Sequence, residues 1–127
     1  MTSAETSKIG FTVGNDLIYL PNFQASLTAP FIRRVYTEEE KSYCQSFQNA
    51  LLRYASTFAA KEAVYKALKQ QHEQLSIPWK KIAIERSKLA GKPSVQLSIP
   101  DLPPPDISLS ISHDGDYVWA VVLISTK

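Results

Sequence analysis

The pattern of apolar and polar positions changes twice along the chain, from strand-like to helix-like and back to strand-like. Residues 9–20 read IGFTVGNDLIYL and are rich in β-branched and aromatic side chains, which favour the pleated surface of a sheet. They predict an opening strand with a bulge or bend at Gly14. Pro21 ends this strand because proline has no amide hydrogen to donate.

The middle of the chain is predicted to be helical. A short helix or turn is expected through Leu27. Thr37 is a suitable N-cap, and Glu40 lies three residues later to complete a capping box, so a helix is expected over residues 38–47. Residues 50–73 contain neither Gly nor Pro and are rich in Ala, Leu, Lys and Glu, which makes them the strongest helix in the sequence.

The last part of the chain returns to strand patterns. Residues 81–86, 95–99 and 107–112 alternate between apolar and polar positions. Residues 117–124 are apolar on both faces, as in a central strand that is covered on both sides. An Asp-Gly step between the last two runs favours a tight hairpin turn. One strand, then helices, then several strands predict an α+β fold with the long helix packed on a mostly antiparallel sheet.

Composition narrows the class of protein. The 127 residues are 44% hydrophobic and 20% charged, which suits one domain over residues 9–127 behind a flexible tail of residues 1–8. The formal net charge of +2 is too small to indicate nucleic acid, although a local basic face still attracts an acidic protein. We expect no membrane span, no secretory signal and no internal disulfide, and therefore a cytoplasmic protein.

The long helix carries the first candidates for chemistry. Its small and aromatic stripe is expected to face the sheet: Ala55, Phe58, Ala59, Ala63 and Ala67. Glu62 projects at the margin of this stripe, and Lys66 lies one turn further along the same face. Such a pair could bind a metal and a phosphate where the helix crosses the sheet. The helix alone favours the ordinary alternative, a solvated ion pair between residues four apart.

Asp16, His113 and Cys44 are the other candidates. Asp16 lies in an apolar strand, where aspartate is uncommon. Two explanations are equally good: Asp16 binds a hard cation, or it caps a bulge beside Gly14. His113 lies at the predicted hairpin tip. It is either an exposed side chain without a role or a donor to a phosphate. Cys44 has no basic neighbour in its own turn, so a structural thiol is favoured over a nucleophile.

Four motifs occur in order along nearly the whole chain. Residues 14–18 read GNDLI, residues 58–67 read FAAKEAVYKA, and residues 91–93 read GKP. Residues 107–113 then supply a Ser-x-Ser-His element, followed by the apolar run from residue 117. Together they resemble the holo-acyl-carrier-protein synthase group of the 4′-phosphopantetheinyl transferases, whose helix motif is Phe-Ala-x-Lys-Glu-Ala-x-x-Lys-Ala.

The resemblance implies an activity, a metal and a set of roles. The activity is Mg²⁺-dependent transfer of 4′-phosphopantetheine from coenzyme A to a serine hydroxyl of an apo acyl or peptidyl carrier protein, releasing 3′,5′-ADP. Asp16 and Glu62 are implied as the Mg²⁺ ligands and, with Lys66, as the catalytic group. The family is also commonly a homotrimer with sites between subunits. Contacts to coenzyme A are implied for Lys61, Lys66, Lys92, Pro93 and His113.

Three departures from the family pattern accompany the resemblance. Thr57 stands where the family usually has arginine, and Arg53, one turn earlier, is the candidate to reach the phosphate instead. Residues 68–71 (LKQQ) replace a Gly-x-Gly segment that normally follows the helix motif. Residues 22–30 carry no basic side chain to hold an acidic carrier, which leaves the arginines at 33 and 34 as the nearest candidates.

Two hypotheses for the function follow from these observations. The leading one is the transferase activity, supported by the joint presence of Asp16, Glu62, Lys61 and Lys66. The second is a catalytically silent module that only binds a carrier protein or coenzyme A, which the missing arginine and glycines favour slightly.

Overall fold

The computed structural model describes residues 10–86, 92–101 and 103–126. The expected tail of residues 1–8 and the first residue of the GKP motif, at position 91, lie outside these ranges. The described elements follow in this order: β1 (Phe11–Tyr19), α1 (Leu20–Ser26), α2 (Ala29–Val35), α3 (Glu38–Gln45), α4 (Ala50–Gln71), a 3₁₀ turn (Trp79–Lys81), β2 (Ile82–Arg86), β3 (Pro93–Leu97), β4 (Ile107–Asp114) and β5 (Tyr117–Ser125). The predicted α+β class is confirmed. None of the helices within the described ranges is long and apolar enough to cross a membrane.

The strands form two antiparallel sheets. One sheet has the order β1-β5-β4, so β5 is central and β1 and β4 are its edges, while β2 and β3 pair separately. The β4–β5 hairpin closes through two residues, because Asp114 pairs with Tyr117. Gly115 takes a φ of +56° there, a conformation that favours glycine, and the predicted tight turn is confirmed.

Helix α4 packs on β1 and β5 through its predicted stripe. The four alanines of that stripe are fully buried. Phe58 is only half-buried and belongs to an aromatic cluster on another side of the helix, where its ring lies 5.3 Å from that of Trp79 and 5.2 Å from that of Phe31. This cluster connects α4 to α2 and to the 3₁₀ turn.

Gly14 allows β1 and α4 to approach each other closely. A Cβ atom at this position would lie 1.9 Å from the backbone oxygen of Ala63. The register of β1 with β5 runs without interruption through Gly14 and Val122. The predicted bulge or bend is therefore wrong, and glycine is needed because the strand touches the helix backbone.

The boundaries of several elements differ by two residues from those predicted. Helix α3 stops at Gln45 because the Ser46 amide turns back to the carbonyl of Tyr43. The capping box at its start is confirmed, with the Glu40 amide 3.1 Å from Thr37 Oγ1 and the Thr37 amide 2.7 Å from Glu40 Oε1. Strand β3 begins at Pro93, two residues before the predicted start, because Pro93 pairs with the last residue of β2.

Among the described residues, the β1-β5-β4 sheet is covered on one face only. Its inner face buries Val118, Ala120, Val122 and Ile124 of β5 beneath α4. Strand β5 is central as predicted, but the predicted cover on both of its faces is wrong for the part of the chain that the structure describes. The outer face exposes large apolar side chains: Phe11, Val13, Leu17, Tyr19, Tyr117, Trp119 and Leu123.

Candidate active site

Strand β1 and helix α4 bring Asp16, Glu62 and Lys66 together at one edge of the sheet. The Lys66 ammonium lies 3.0 Å from Asp16 Oδ1 and 3.1 Å from the backbone oxygen of Asn15. Glu62 lies one turn earlier on α4. Partial burial raises the pKa of Glu62 most, and the negative charge of Asp16 raises it further. The positive charge of Lys66 lowers it. The two carboxylates are thus close enough to repel each other.

The local fold explains why these side chains meet. Asp16 is two residues after Gly14, so both lie on the inner face of β1, and the contact that Gly14 allows brings Asp16 to the margin of α4. The end of α4 is also tied to the edge of β1, because Gln70 Nε2 donates to the backbone oxygen of Val13 at 2.7 Å. A bulge cap for Asp16 is excluded, since the strand has no bulge there.

The donor set of this cluster suits a hard divalent cation. Mg²⁺ is usually bound through one or two carboxylates and completes its shell with waters and substrate phosphate oxygens. A cation beside Asp16 and Glu62 would favour the charged form of Glu62, because it offsets the negative charge of Asp16 that raises the pKa of Glu62. Within residues 10–86, 92–101 and 103–126, no group of three or more His, Cys, Asp or Glu side chains is arranged to hold a metal. A site here is therefore a sparse one with two protein ligands.

Lys61 requires a correction, because its side chain points into the core. It is fully buried, and its ammonium lies 2.8 Å from Glu40 Oε1, 3.0 Å from the Trp79 carbonyl oxygen and 2.8 Å from the Ile82 carbonyl oxygen. Burial lowers the pKa of Lys61, and the charge of Glu40 opposes that shift. All three donors are used within the protein, so the expected phosphate contact of Lys61 is replaced by a structural ion pair that joins α3, α4 and β2.

The residues around Thr57 form a separate group on another side of α4. Arg53 packs its guanidinium 4.1 Å from the centre of the Phe47 ring. Arg86 of β2 reaches the same region, with Nη2 3.5 Å from Thr57 Oγ1. Cys44 lies there too, and burial raises the pKa of its thiol to about 11. A structural thiol, as favoured from the sequence, fits this environment.

His113, Lys92 and Pro93 lie away from the Asp16 cluster in the chain. His113 is exposed near the end of β4, opposite Val118, and Val118 is in turn opposite Ile18 of β1. Two strand spacings, about 10 Å, therefore separate His113 from β1. Pro93 belongs to the other sheet, and Lys92 precedes it with an exposed side chain. The cluster thus contains Asp16, Glu62 and Lys66 of the predicted site residues.

Two contributors to the cluster were not predicted from the sequence. The backbone oxygen of Asn15 fixes the Lys66 ammonium, and Gln70 fixes the edge strand beside it. The only sequence signal for Gln70 was its position four residues after Lys66, which puts both on one face of α4.

Comparison with known proteins gives one family. The family model described as the 4′-phosphopantetheinyl transferase superfamily matches residues 12–122. A holo-[acyl-carrier-protein] synthase of Syntrophotalea carbinolica is 36% identical over 120 residues, which cover 87% of this chain and 92% of that protein. The fatty acid synthase alpha subunit hexA of Dothistroma septosporum is 36% identical over 124 residues, which cover 96% of this chain but 35% of that protein.

The solved structures agree with this result. A Chronobacterium ammoniagenes ACPS–CoA complex superposes with a TM-score of 0.80 at 27% identity, covering 92% of this chain and 98% of that one. The chain belongs to the 4′-phosphopantetheinyl transferase superfamily. Within it, the chain is an enzyme of the holo-[acyl-carrier-protein] synthase type, that is, a 4′-phosphopantetheinyl transferase.

Proposed function

We propose that this protein transfers 4′-phosphopantetheine from coenzyme A to a serine hydroxyl of an apo acyl or peptidyl carrier protein, releases 3′,5′-ADP and requires Mg²⁺. The observation that carries the proposal is the meeting of Asp16, Glu62 and Lys66 at the edge of β1. The names of the relatives, holo-[acyl-carrier-protein] synthases and an ACPS–CoA complex, support the two substrates.

The roles of the three side chains follow from their charges. Asp16 and Glu62 hold the cation, which when bound supplies positive charge to the diphosphate of coenzyme A and to the leaving 3′,5′-ADP. Lys66 is half-exposed and already oriented by two oxygens of β1, so its ammonium is available to a phosphate oxygen. The chain provides no nucleophile, because the attacking oxygen belongs to the serine of the carrier.

The transfer reaction also requires a base. The serine oxygen attacks the phosphorus that carries the pantetheine, the bond from that phosphorus to the 3′,5′-ADP oxygen breaks, and the serine proton must be accepted by a base. Glu62 and a water molecule are the two candidate bases.

The direct test is the intact mass of apo carrier proteins after incubation with the protein, coenzyme A and Mg²⁺. The mass of one phosphopantetheine group should be added to at least one carrier of a panel. Glu62→Gln should abolish the gain, because it keeps the shape but removes a charge of the metal site. Glu73→Gln removes an exposed carboxylate outside the cluster and is the matched control. No gain on any carrier would favour the silent binding module.

We further propose that the protein assembles as a homotrimer with sites between subunits. The outer face of the β1-β5-β4 sheet exposes Leu17 by 61% and Trp119 by 47%, and apolar patches of this kind mark interfaces. The family resemblance further implies that His113 of one subunit serves the Asp16 cluster of another. Light scattering should give a trimer that Trp119→Glu dissociates. Mixing Glu62→Gln with His113→Ala subunits should restore activity that neither has alone.

The acidic carrier is proposed to dock on the basic surface of α2 and the 3₁₀ turn. Arg33 and Arg34 are exposed at the end of α2, which packs against the turn that carries Lys80 and Lys81. The Phe58–Trp79 contact connects this surface to the α4 turn that carries the active-site carboxylate. Charge reversal at both arginines should raise the KM for the carrier and leave the KM for coenzyme A unchanged.

Two further proposals follow from the sequence. Lys92 and Pro93 are proposed to contact the adenosine of coenzyme A, and the cytoplasm is the proposed compartment.

A further inference from the structure

Lys66 neutralises part of the charge that attracts a cation to the active site. Its ammonium lies 3.0 Å from Asp16 Oδ1, and of the three ion pairs among the described residues this is the one in the Asp16 cluster. With both carboxylates ionised, Asp16, Glu62 and Lys66 together carry a net charge of −1. The carboxylate that is expected to bind a cation is therefore already paired with one.

The two partners of this ion pair differ in their access to solvent. The Asp16 side chain is 16% exposed, whereas the Lys66 side chain is 49% exposed. The ammonium is thus the more mobile and accessible partner, and the carboxylate is the more enclosed one. A divalent cation that binds Asp16 lies within a few ångströms of the ammonium, and like charges at such a distance repel each other.

Lys66 also has an anchor other than Asp16. An ammonium has three donors. One donates to Asp16, a second donates to the backbone oxygen of Asn15 at 3.1 Å, and the third has no acceptor among the described residues. Strand β1, which carries the Asn15 oxygen, is also held by Gln70 through the Val13 oxygen. Lys66 can therefore stay attached to this strand while it turns a donor towards an incoming phosphate.

The charges of the ligands favour their joint arrival. With a divalent cation alone, the net charge of the Asp16 cluster changes from −1 to +1, and the ammonium then repels the cation. The diphosphate of coenzyme A carries two negative charges, so with both ligands the net charge returns to −1. The same ammonium that repels a cation bound alone attracts the diphosphate that accompanies it.

We propose that Lys66 couples the two ligands: it weakens the binding of a divalent cation while coenzyme A is absent, and it supports that binding once the diphosphate is present. This inference rests on the proposed function and adds an order to it, in which the cation is held firmly only together with coenzyme A. The factor by which coenzyme A raises the affinity for the cation equals the factor by which the cation raises the affinity for coenzyme A. Lys66 sets part of this factor.

The first test measures binding of Mn²⁺ alone to the full chain, by electron paramagnetic resonance of the free ion at low ionic strength. Mn²⁺ prefers the same oxygen ligands as Mg²⁺. Lys66→Met keeps most of the side chain and removes the charge. It should bind Mn²⁺ roughly 10-fold more tightly than the wild-type protein, the effect of a unit charge about 6 Å from a divalent cation at the dielectric constant of water.

Two further variants separate this effect from others. Lys66→Arg keeps the positive charge and should bind Mn²⁺ as weakly as the wild-type protein. Lys69→Met is the matched control. It removes a cation three residues later on α4, whose ammonium donates to the carbonyl oxygens of Glu73 and Leu75, and it should change the affinity for Mn²⁺ much less. Unchanged or weaker Mn²⁺ binding by Lys66→Met would overturn the inference.

The second test repeats the Mn²⁺ titrations with saturating coenzyme A, after correction for the Mn²⁺ that coenzyme A binds without protein. Coenzyme A should raise the affinity of the wild-type protein for Mn²⁺ by a larger factor than that of Lys66→Met. Equal factors in the two proteins would contradict the coupling. If no carrier is modified but this pattern is found, the proposed function fails while the coupling stands; if carriers are modified and the pattern is absent, only the coupling fails.

Discussion

The buried pair between Lys61 and Glu40 yields the sharpest prediction about the fold. Lys61→Met keeps most of the side-chain volume but removes the ammonium that contacts a carboxylate and two carbonyl oxygens. The Glu40 carboxylate would then stay buried without its counter-charge, which typically costs about 3–5 kcal/mol. Since a domain of this kind has a free energy of unfolding of about 5–15 kcal/mol, the substitution should lower the melting temperature by roughly 10–20 °C.

Thermal and urea unfolding, followed by circular dichroism, measure this loss. The matched control is Lys41→Met, because Lys41 pairs with Glu38 at 2.6 Å on the surface and should matter little. The double variant Lys61→Met/Glu40→Gln should recover part of the stability, since it removes the unpaired charge and keeps an acceptor. At a temperature where Lys61→Met is folded, its KM for coenzyme A should match that of the wild-type protein. A variant with unchanged stability, or a folded one with weak coenzyme A binding, would refute the structural role.

Three other substitutions or reagents test the contacts around the site. Gly14→Ala should leave little folded protein, because the new Cβ would lie 1.9 Å from the Ala63 oxygen; normal expression and melting would contradict this. Cys44, with a pKa of about 11, should have about one thiol in a thousand ionised at pH 8, so iodoacetamide should modify it only after unfolding, and rapid labelling of the native protein would count against its burial. Gln70→Ala should lower the free energy of unfolding by about 0.5–1.5 kcal/mol through the lost bond to β1, and no change in urea unfolding would mean that the bond contributes nothing.

The features predicted well from the sequence depend on local patterns. The capping box at Thr37 and Glu40, the tight turn with Gly115 and the alanine stripe of α4 each need only neighbours a few residues apart. The motif that contains Glu62 and Lys66 was recognisable for the same reason, because one helix fixes their spacing.

The features predicted poorly depend on contacts between distant parts of the chain. Gly14 was expected at a bulge, since the sequence does not indicate that a helix backbone touches it. Lys61 lies in the same motif as Glu62, but its side chain is rotated by 100° around the helix axis from that of Glu62. At this angle it contacts β2 and a buried carboxylate instead of solvent. Arg86 was not singled out at all, because its approach to Thr57 joins residues 29 positions apart.

The outer face of the sheet shows the same limit for a different reason. The run from Tyr117 to Ile124 was expected to be covered on both sides, and only its inner face is covered by the described residues of one chain. The pattern of apolar residues does not distinguish cover by the same chain from cover by another copy. The proposed trimer would reconcile the pattern with the single-chain structure.

The central claim is that Asp16 and Glu62 share a divalent cation that holds the diphosphate of coenzyme A. The affinity for coenzyme A should therefore be measured by calorimetry with Mg²⁺ and with EDTA, in the wild-type protein and in Glu62→Gln. We predict that Mg²⁺ strengthens binding to the wild-type protein and has little effect on Glu62→Gln. An equal gain from Mg²⁺ in both proteins would contradict the account.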